Sequence, residues 1–187
     1  MDRAAVFIDG GYLRRVLKDV FGEPRIDYEK FSNVLCGNEV ERMRTYYYDC
    51  MPLLGQNPTK EERERYAGMQ RFIDYLRKLK RFEVRLGKLI YIPERGKPIQ
   101  KRIDVLLSVD LVRMSWDKQI QRAILVTGDS DFVPAVKAAK DAGVLTIVYY
   151  SRGAPTVYAH DELLDACDER YEITEELIRS VTVKKPK

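Results

Sequence analysis

Ala123-Ile124-Leu125-Val126-Thr127-Gly128-Asp129-Ser130-Asp131-Phe132 is the stretch that decides the fold. Its first four residues are apolar without alternation, which predicts a strand buried on both faces, as in a parallel sheet. Val133 to Lys140 then reads as a helix, with Pro134 near its start, where a missing N–H costs nothing. Two carboxylates, Asp129 and Asp131, therefore sit in a short strand-to-helix turn. Open α/β folds put their sites at such strand ends. A helix cap explains one aspartate. It does not explain a second one two residues on, beside a glycine.

The same unit stands at the start of the chain. Arg3 to Ile8 is mostly apolar and ends in Asp9-Gly10-Gly11-Tyr12, after which Leu13, Val16, Leu17 and Val20 follow at helical spacing. Asp27 is placed to cap a second helix that Gly37 stops. Val40 to Asp49, with Tyr46-Tyr47-Tyr48, reads as a strand. Thr59 and Glu62 have the capping-box spacing, and Tyr66, Met69, Phe72, Ile73, Leu76 and Leu79 continue a long amphipathic helix. Phe82 to Ile92 reads as a strand with a bend at Gly87, and Pro93 to Pro98 as a charged surface loop. Lys101-Arg102-Ile103-Asp104 opens a further helix, whose Trp116 is assigned to the core. On that helix Asp110 lies six positions past Asp104, about 240° round an ideal turn, so the two point apart. Val144 to Tyr150 is the last strong strand, followed by a short helix at Leu163-Leu164 and a terminal one from Ile173 to Val181.

Strands alternate with helices throughout, which argues a three-layer α/β/α domain with a mainly parallel central sheet. We read residues 1–181 as one domain and 182–187 as a basic C-terminal tail. At 187 residues, 45% of them hydrophobic, the chain can bury one real core. No apolar run approaches the roughly 18 residues of a membrane span, and no secretory signal opens the chain. Three scattered cysteines fit a reducing compartment, and the single His160 has no companion for a histidine metal site, which leaves it a surface or capping role. A cytoplasmic location is the expectation. The net charge of +4 is unevenly spread: residues 60–102 carry fourteen Lys/Arg against six Asp/Glu. A basic region beside an acidic site suits an enzyme of phosphodiesters.

Three segments then offer carboxylates: Asp9, Asp104, and Asp129 with Asp131. If the first and the Val126 strands are central and parallel, Asp9 and Asp129/Asp131 leave the same sheet edge, at a switch point. Clustered carboxylates repel unless a cation joins them. Hard oxygen ligands favour Mg²⁺ or Mn²⁺, ions that activate water and neutralise a leaving oxygen. Rival acidic folds fit less well. A haloacid-dehalogenase-type phosphatase wants Asp-x-Asp after strand one, but Gly11 stands at the second Asp position. A phospho-receiver domain wants a lysine after a late strand, where Tyr149-Tyr150-Ser151-Arg152 has none. There is no Walker-type or Gly-x-Gly-x-x-Gly loop.

Phe7-Ile8-Asp9-Gly10-Gly11-Tyr12-Leu13, Lys101 to Asp110, and Thr127 to Phe132 resemble the three signature blocks of NYN domains in the PIN-like ribonuclease superfamily, with the nearest look to the LabA-like branch. The resemblance spans about residues 3–170. It implies a PIN-like fold of sheet order 3-2-1-4-5 and divalent-metal-dependent RNA cleavage. It also implies Asp9, Asp104, Asp129 and Asp131 as catalytic, metal-binding acids. Asp110 matches a recurrent family aspartate and, with Ser130, is expected to support those acids from behind. Tyr12 stands where many members carry Asn, which implies a weaker polar grip on metal or phosphate.

The leading expectation is a single-strand-preferring endoribonuclease with one or two Mg²⁺ or Mn²⁺ ions. Lys101, Arg102 and Arg152 are phosphate-clamp candidates, and Tyr12 or Tyr48 is a candidate to stack on an unpaired base. A catalytically weak RNA-binding regulator is the alternative, and a metal-dependent phosphatase a third. RNA is the expected partner. The Tyr46–Tyr48 strand or the Met69 helix could carry a homodimer face, and core packing explains both as well.

Overall fold

A computed structural model describes residues 1–92 and 97–183, with backbone alone over 89–92 and 97–101. In chain order the elements are β1 (Asp2–Asp9), α1 (Gly10–Asp19), α2 (Tyr28–Cys36), β2 (Val40–Cys50), α3 (Lys60–Lys78) and β3 (Phe82–Ile92). There follow β4 (Lys97–Lys101), α4 (Ile103–Trp116), β5 (Arg122–Val126), α5 (Val133–Asp141), β6 (Leu145–Tyr150), α6 (Asp161–Ala166), β7 (Glu169–Glu172) and α7 (Glu175–Val181).

The sheet order is β4-β3-β2-β1-β5-β6-β7. Among the described residues the β3–β4 pair of this sheet is antiparallel and its other pairs are parallel. The six parallel strands thus run 3-2-1-4-5-6 in their own order, which contains the expected 3-2-1-4-5 and adds one strand. Residues Ala4 to Ile8 of β1 are wholly buried, as the unalternating apolar run requires of a central strand. Ala4, Val6 and Ile8 face α1, α2, α3 and α7, while Ala5 and Phe7 face α4, α5 and α6. These are the three layers. Each fully buried Ile, Leu or Phe contributes about 1.5–3 kcal/mol, so β1 alone anchors both cores.

Local signals fix the helix starts. The Asp27 carboxylate accepts the Lys30 N–H at 2.9 Å, and the Thr59–Glu62 box is closed at both ends. Pro134 sits in the first turn of α5. Four features differ from the sequence reading or add to it. Lys97 to Lys101 pairs as a strand with Lys88 to Ile92, so Pro98 is not in a loop, while residues 93–96 lie outside the described part. Glu169 to Glu172 is an edge strand on β6, hidden in sequence because its charged side chains carry no apolar pattern. Trp116 is 59% exposed, because Val105, Val109 and Trp116 lie on the side of α4 away from Leu107, Leu111 and Met114. Tyr46, Tyr47 and Tyr48 are buried in the middle of the sheet and have no outer face for a dimer, and Met69 packs half-buried on the core.

Thr182 and Val183, read from sequence as tail, are tied to the α1–α2 connection: Thr182 bridges Ile26, and the Val183 N–H donates to the Arg25 carbonyl at 2.8 Å. Residues 184–187 lie outside the described part. Among the described residues no helix is long and apolar enough to cross a membrane.

Candidate active site

Strand order reverses at β1, whose two neighbours are β2 and β5. Ile8 pairs with Val126, so Asp9 and Thr127 leave the sheet side by side at its carboxyl edge. That edge is where doubly wound folds hold their ligands. Asp9 caps α1, accepting the Tyr12 N–H at 2.9 Å. Asp129 caps a 3₁₀ turn over Ser130–Phe132, accepting the Asp131 N–H at 2.9 Å. One oxygen of each carboxylate is spent on the backbone in this way. Asp104 lies in the first turn of α4, and both it and Asp131 are exposed.

The four acids form one electrostatic group. Burial pushes the Asp9 carboxyl up, and the Asp129 charge adds to this while Arg15 and Arg14 oppose it. Asp104 is also pushed up, first by burial and then by the charges of Asp129, Asp9 and Asp131. Contact is looser than the charge coupling: among the described residues no three His, Cys, Asp or Glu side chains are drawn close enough to hold a metal ion together.

A raised carboxyl means that the fold favours the protonated form. The associated stability is present in acid and lost as pH rises through the folded-state pKa. Asp9→Asn keeps a capping oxygen and removes the charge. With a chelator present, this variant should melt a few degrees above the parent at pH 7, and the gain should shrink toward pH 4. A variant that melts lower at pH 7 would show that the cap needs the charge.

Tyr12 does not serve as a stacking face. It is 4% exposed, and its hydroxyl donates to the Val157 carbonyl at 3.1 Å and accepts the Ser151 N–H at 2.8 Å. Burial pushes the phenol up to about 12. The ring lies against Gly128: a Cβ there would come within 2.7 Å of Tyr12 Cε2 and 3.1 Å of Ala159 Cα. The His160 N–H closes the same corner on the Gly128 carbonyl at 3.0 Å. Tyr12 is thus the strut that fixes the Asp129 turn to the segment after β6. Tyr12→Phe strands the buried Ser151 N–H and should cost about 1–3 kcal/mol in a melting experiment. A loss below about 0.5 kcal/mol would mean that water takes the place of the hydroxyl.

Tyr48 is likewise closed to a base: it is buried, and its hydroxyl donates to Asp110 at 2.9 Å. Asp110 also pairs with Arg85 at 3.4 Å and Arg113 at 3.3 Å. Among the described residues it bonds to none of the four acids; it anchors α4 to the sheet beside Asp9, the register partner of Tyr48. Ser130 lies in the 3₁₀ turn between Asp129 and Asp131. Arg102 is exposed at φ 80°, immediately before α4. The Lys101 side chain lies outside the described part. Arg152 is not a free cation: it pairs with Asp161 and lies 5.0 Å from the Tyr158 ring centroid.

Other residues at the site had weaker signals in the sequence. A cleft of about 180 Å³ beside Asp9 and Asp129 is lined also by Arg15, Thr156, Tyr158 and His160. The last three are brought there by the β6–α6 segment, which has no local motif. Asp49 lies one residue before the end of β2, next to the register partner of Asp9, and it forms an ion pair with Arg14 of α1. The rule that singled out Asp9 would have found Asp49 too, had the Tyr46–Tyr48 strand been placed next to β1.

The comparisons with known proteins agree with this architecture. No curated protein matches the chain at a significant level. A solved structure of similar fold is a protein of unknown function, VPA0982, from Vibrio parahaemolyticus RIMD 2210633: 22% identical, with a TM-score of 0.59 and 94% of each chain covered. The NYN domain profile matches residues 3–175. With acidic turns at the switch point of this sheet and that match over nearly its whole length, the chain belongs to the NYN domain family of the PIN-like nuclease superfamily.

Proposed function

We propose that the protein is a metal-dependent endoribonuclease acting on single-stranded RNA, with Asp9, Asp104, Asp129 and Asp131 as its acidic site. The observation that carries this reading is the coupling of four carboxylates from three chain segments at the switch point of a nuclease-family fold. The donor set is all hard oxygen, which fits Mg²⁺ or Mn²⁺. Such an ion, when bound, supplies Lewis-acid activation and neutralises developing charge on phosphate oxygens.

The chain's own residues have distinct tasks. Asp9 and Asp129 are the rigid pair, each held by a backbone N–H. Asp104 and Asp131 are exposed, and their side chains make no hydrogen bond or ion pair among the described residues. They are the two free to turn toward the rigid pair. Asp110 supports α4 through Tyr48, and Ser130 shapes the turn. Arg15 offers positive charge at the cleft for a phosphate, and Arg102 offers it beside Asp104. Arg152 serves through Tyr158, whose half-exposed ring at the cleft is the stacking candidate in place of Tyr12 and Tyr48.

Incubation of purified protein with single-stranded and hairpin RNAs in Mn²⁺, Mg²⁺ or EDTA tests the reading. Internal cuts in the single strands with metal, and none in EDTA, are expected. Salt-sensitive binding without cutting would favour a regulatory RNA-binding protein. One observation gives that alternative its weight: the Tyr12 hydroxyl, at the position where the family resemblance implies Asn, is committed to Val157 and Ser151. Hydrolysis of a chromogenic phosphomonoester with RNA left intact would instead make the site a phosphatase.

A further inference from the structure

Two cavities outside the acidic site run into one another. The first, about 400 Å³, is lined by Gly11, Arg14, Arg15 and Lys18, one stripe along α1, and by Tyr28 and Phe72. The second, about 710 Å³, is lined by Arg25, Arg71 and Tyr75. Both share Pro24, Tyr28 and Phe72, so they form one groove between α1 and α3. Arg15 lines both the first cavity and the cleft beside Asp9 and Asp129, which joins the groove to the acidic site.

The lining has a definite chemistry. Among the described residues, Arg15, Lys18, Arg25 and Arg71 make no ion pair with any carboxylate. All four are exposed. Among the described residues Glu23 is the one carboxylate lining either cavity. The floor is aromatic: Tyr28 and Phe72 meet edge to face at 5.3 Å, and Tyr75 beside them is 42% exposed. Free cations along an aromatic floor suit a charged backbone carrying flat, unpaired bases. A four-carboxylate site repels phosphate, so a strand that reaches it needs such attraction nearby.

We propose that this groove is the track for single-stranded RNA leading to the acidic site, with Lys18, Arg25 and Arg71 on the phosphates and Tyr75 under a base. The proposal rests on the nuclease reading and adds to it a path and a direction, from Arg15 along α1 to Arg71 and Tyr75.

Fluorescence anisotropy in EDTA, with a labelled single strand of about ten nucleotides, tests it across a range of salt. Compared with the parent, the Lys18→Gln/Arg25→Gln/Arg71→Gln variant should bind more weakly. The slope of log affinity against log salt should fall by about 2, at about 0.7 per phosphate contact on a single strand. Tyr75→Ala should weaken binding about tenfold, and Tyr75→Phe should restore it, since stacking needs the ring and not the hydroxyl. Melting curves confirm that these surface variants fold. If the triple variant binds with an unchanged slope while the parent still cuts RNA with metal, the track is elsewhere and the nuclease reading stands. If the parent binds no RNA in any salt, both fail. If polyglutamate binds the parent, loses affinity in the triple variant, and RNA does not bind, the groove is a docking surface for an acidic protein and the proposal is overturned.

Discussion

Asp129→Asn should lower metal-dependent RNA cleavage by more than about 100-fold while leaving the protein folded. Loss of a group that merely orients a metal ligand typically costs about 10–100-fold, so a carboxylate that holds the ion itself should exceed that range. The substitution is close to neutral for the fold. Asp129 supports its turn through one oxygen that accepts the Asp131 N–H, and an asparagine side-chain oxygen serves equally well. What is lost is a negative charge that Asp9 and Asp104 both feel. RNA binding in EDTA should therefore be kept or slightly tightened, because phosphates meet less repulsion. Cleavage within tenfold of the parent, at equal purity, would remove Asp129 from the metal site.

Asp49→Ala should lower stability by about 1–3 kcal/mol, the cost of stranding a buried partner. Asp49 is wholly buried as a side chain, and Arg14 binds it from α1 with both terminal nitrogens. The Cys50 N–H also donates to it at 2.7 Å. Removing the carboxylate leaves the buried Cys50 N–H without its partner, while the Arg14 guanidinium, 42% exposed, keeps the Tyr47 hydroxyl and reaches water. For a chain of this size the melting temperature should fall by roughly 5 °C. A companion Arg14→Met should cost little more in the double variant than Asp49→Ala alone, because both changes remove the same contact. A single-variant loss under about 1 kcal/mol would show that water replaces the carboxylate. The same contact explains Gly10: an added Cβ would collide with the Tyr47 ring and Asp49 Oδ2, so α1 can start this close to β2 only with glycine there.

Much of the candidate site was legible because its signals are local. Asp9 and Asp129 each end an apolar run and cap the turn that follows, within three residues of sequence. Asp104 falls in a helix's first turn. The strand-to-helix alternation then predicted the parallel sheet and, with it, a shared edge. The acids' neighbours were not legible. Tyr158 and His160 reach the cleft only because β6 lies beside β5, and Arg14 meets Asp49 across 35 residues.

The sequence by itself determined the main helices and central strands, most of their caps and the segments that carry carboxylates, because backbone preference, capping and hydrophobic period act over a few residues. It also placed the family, through three short blocks of residues. Only the tertiary structure decided which polar groups are spent inside the fold. Tyr12, a stacking candidate by sequence, is a buried strut; Trp116, assigned to the core, is exposed; Arg152, a phosphate-clamp candidate, is paired. β7 is a strand only because β6 offers it an edge. Each of these depends on partners far away in the chain, and a side chain's role is set by what it meets there, which no local pattern records.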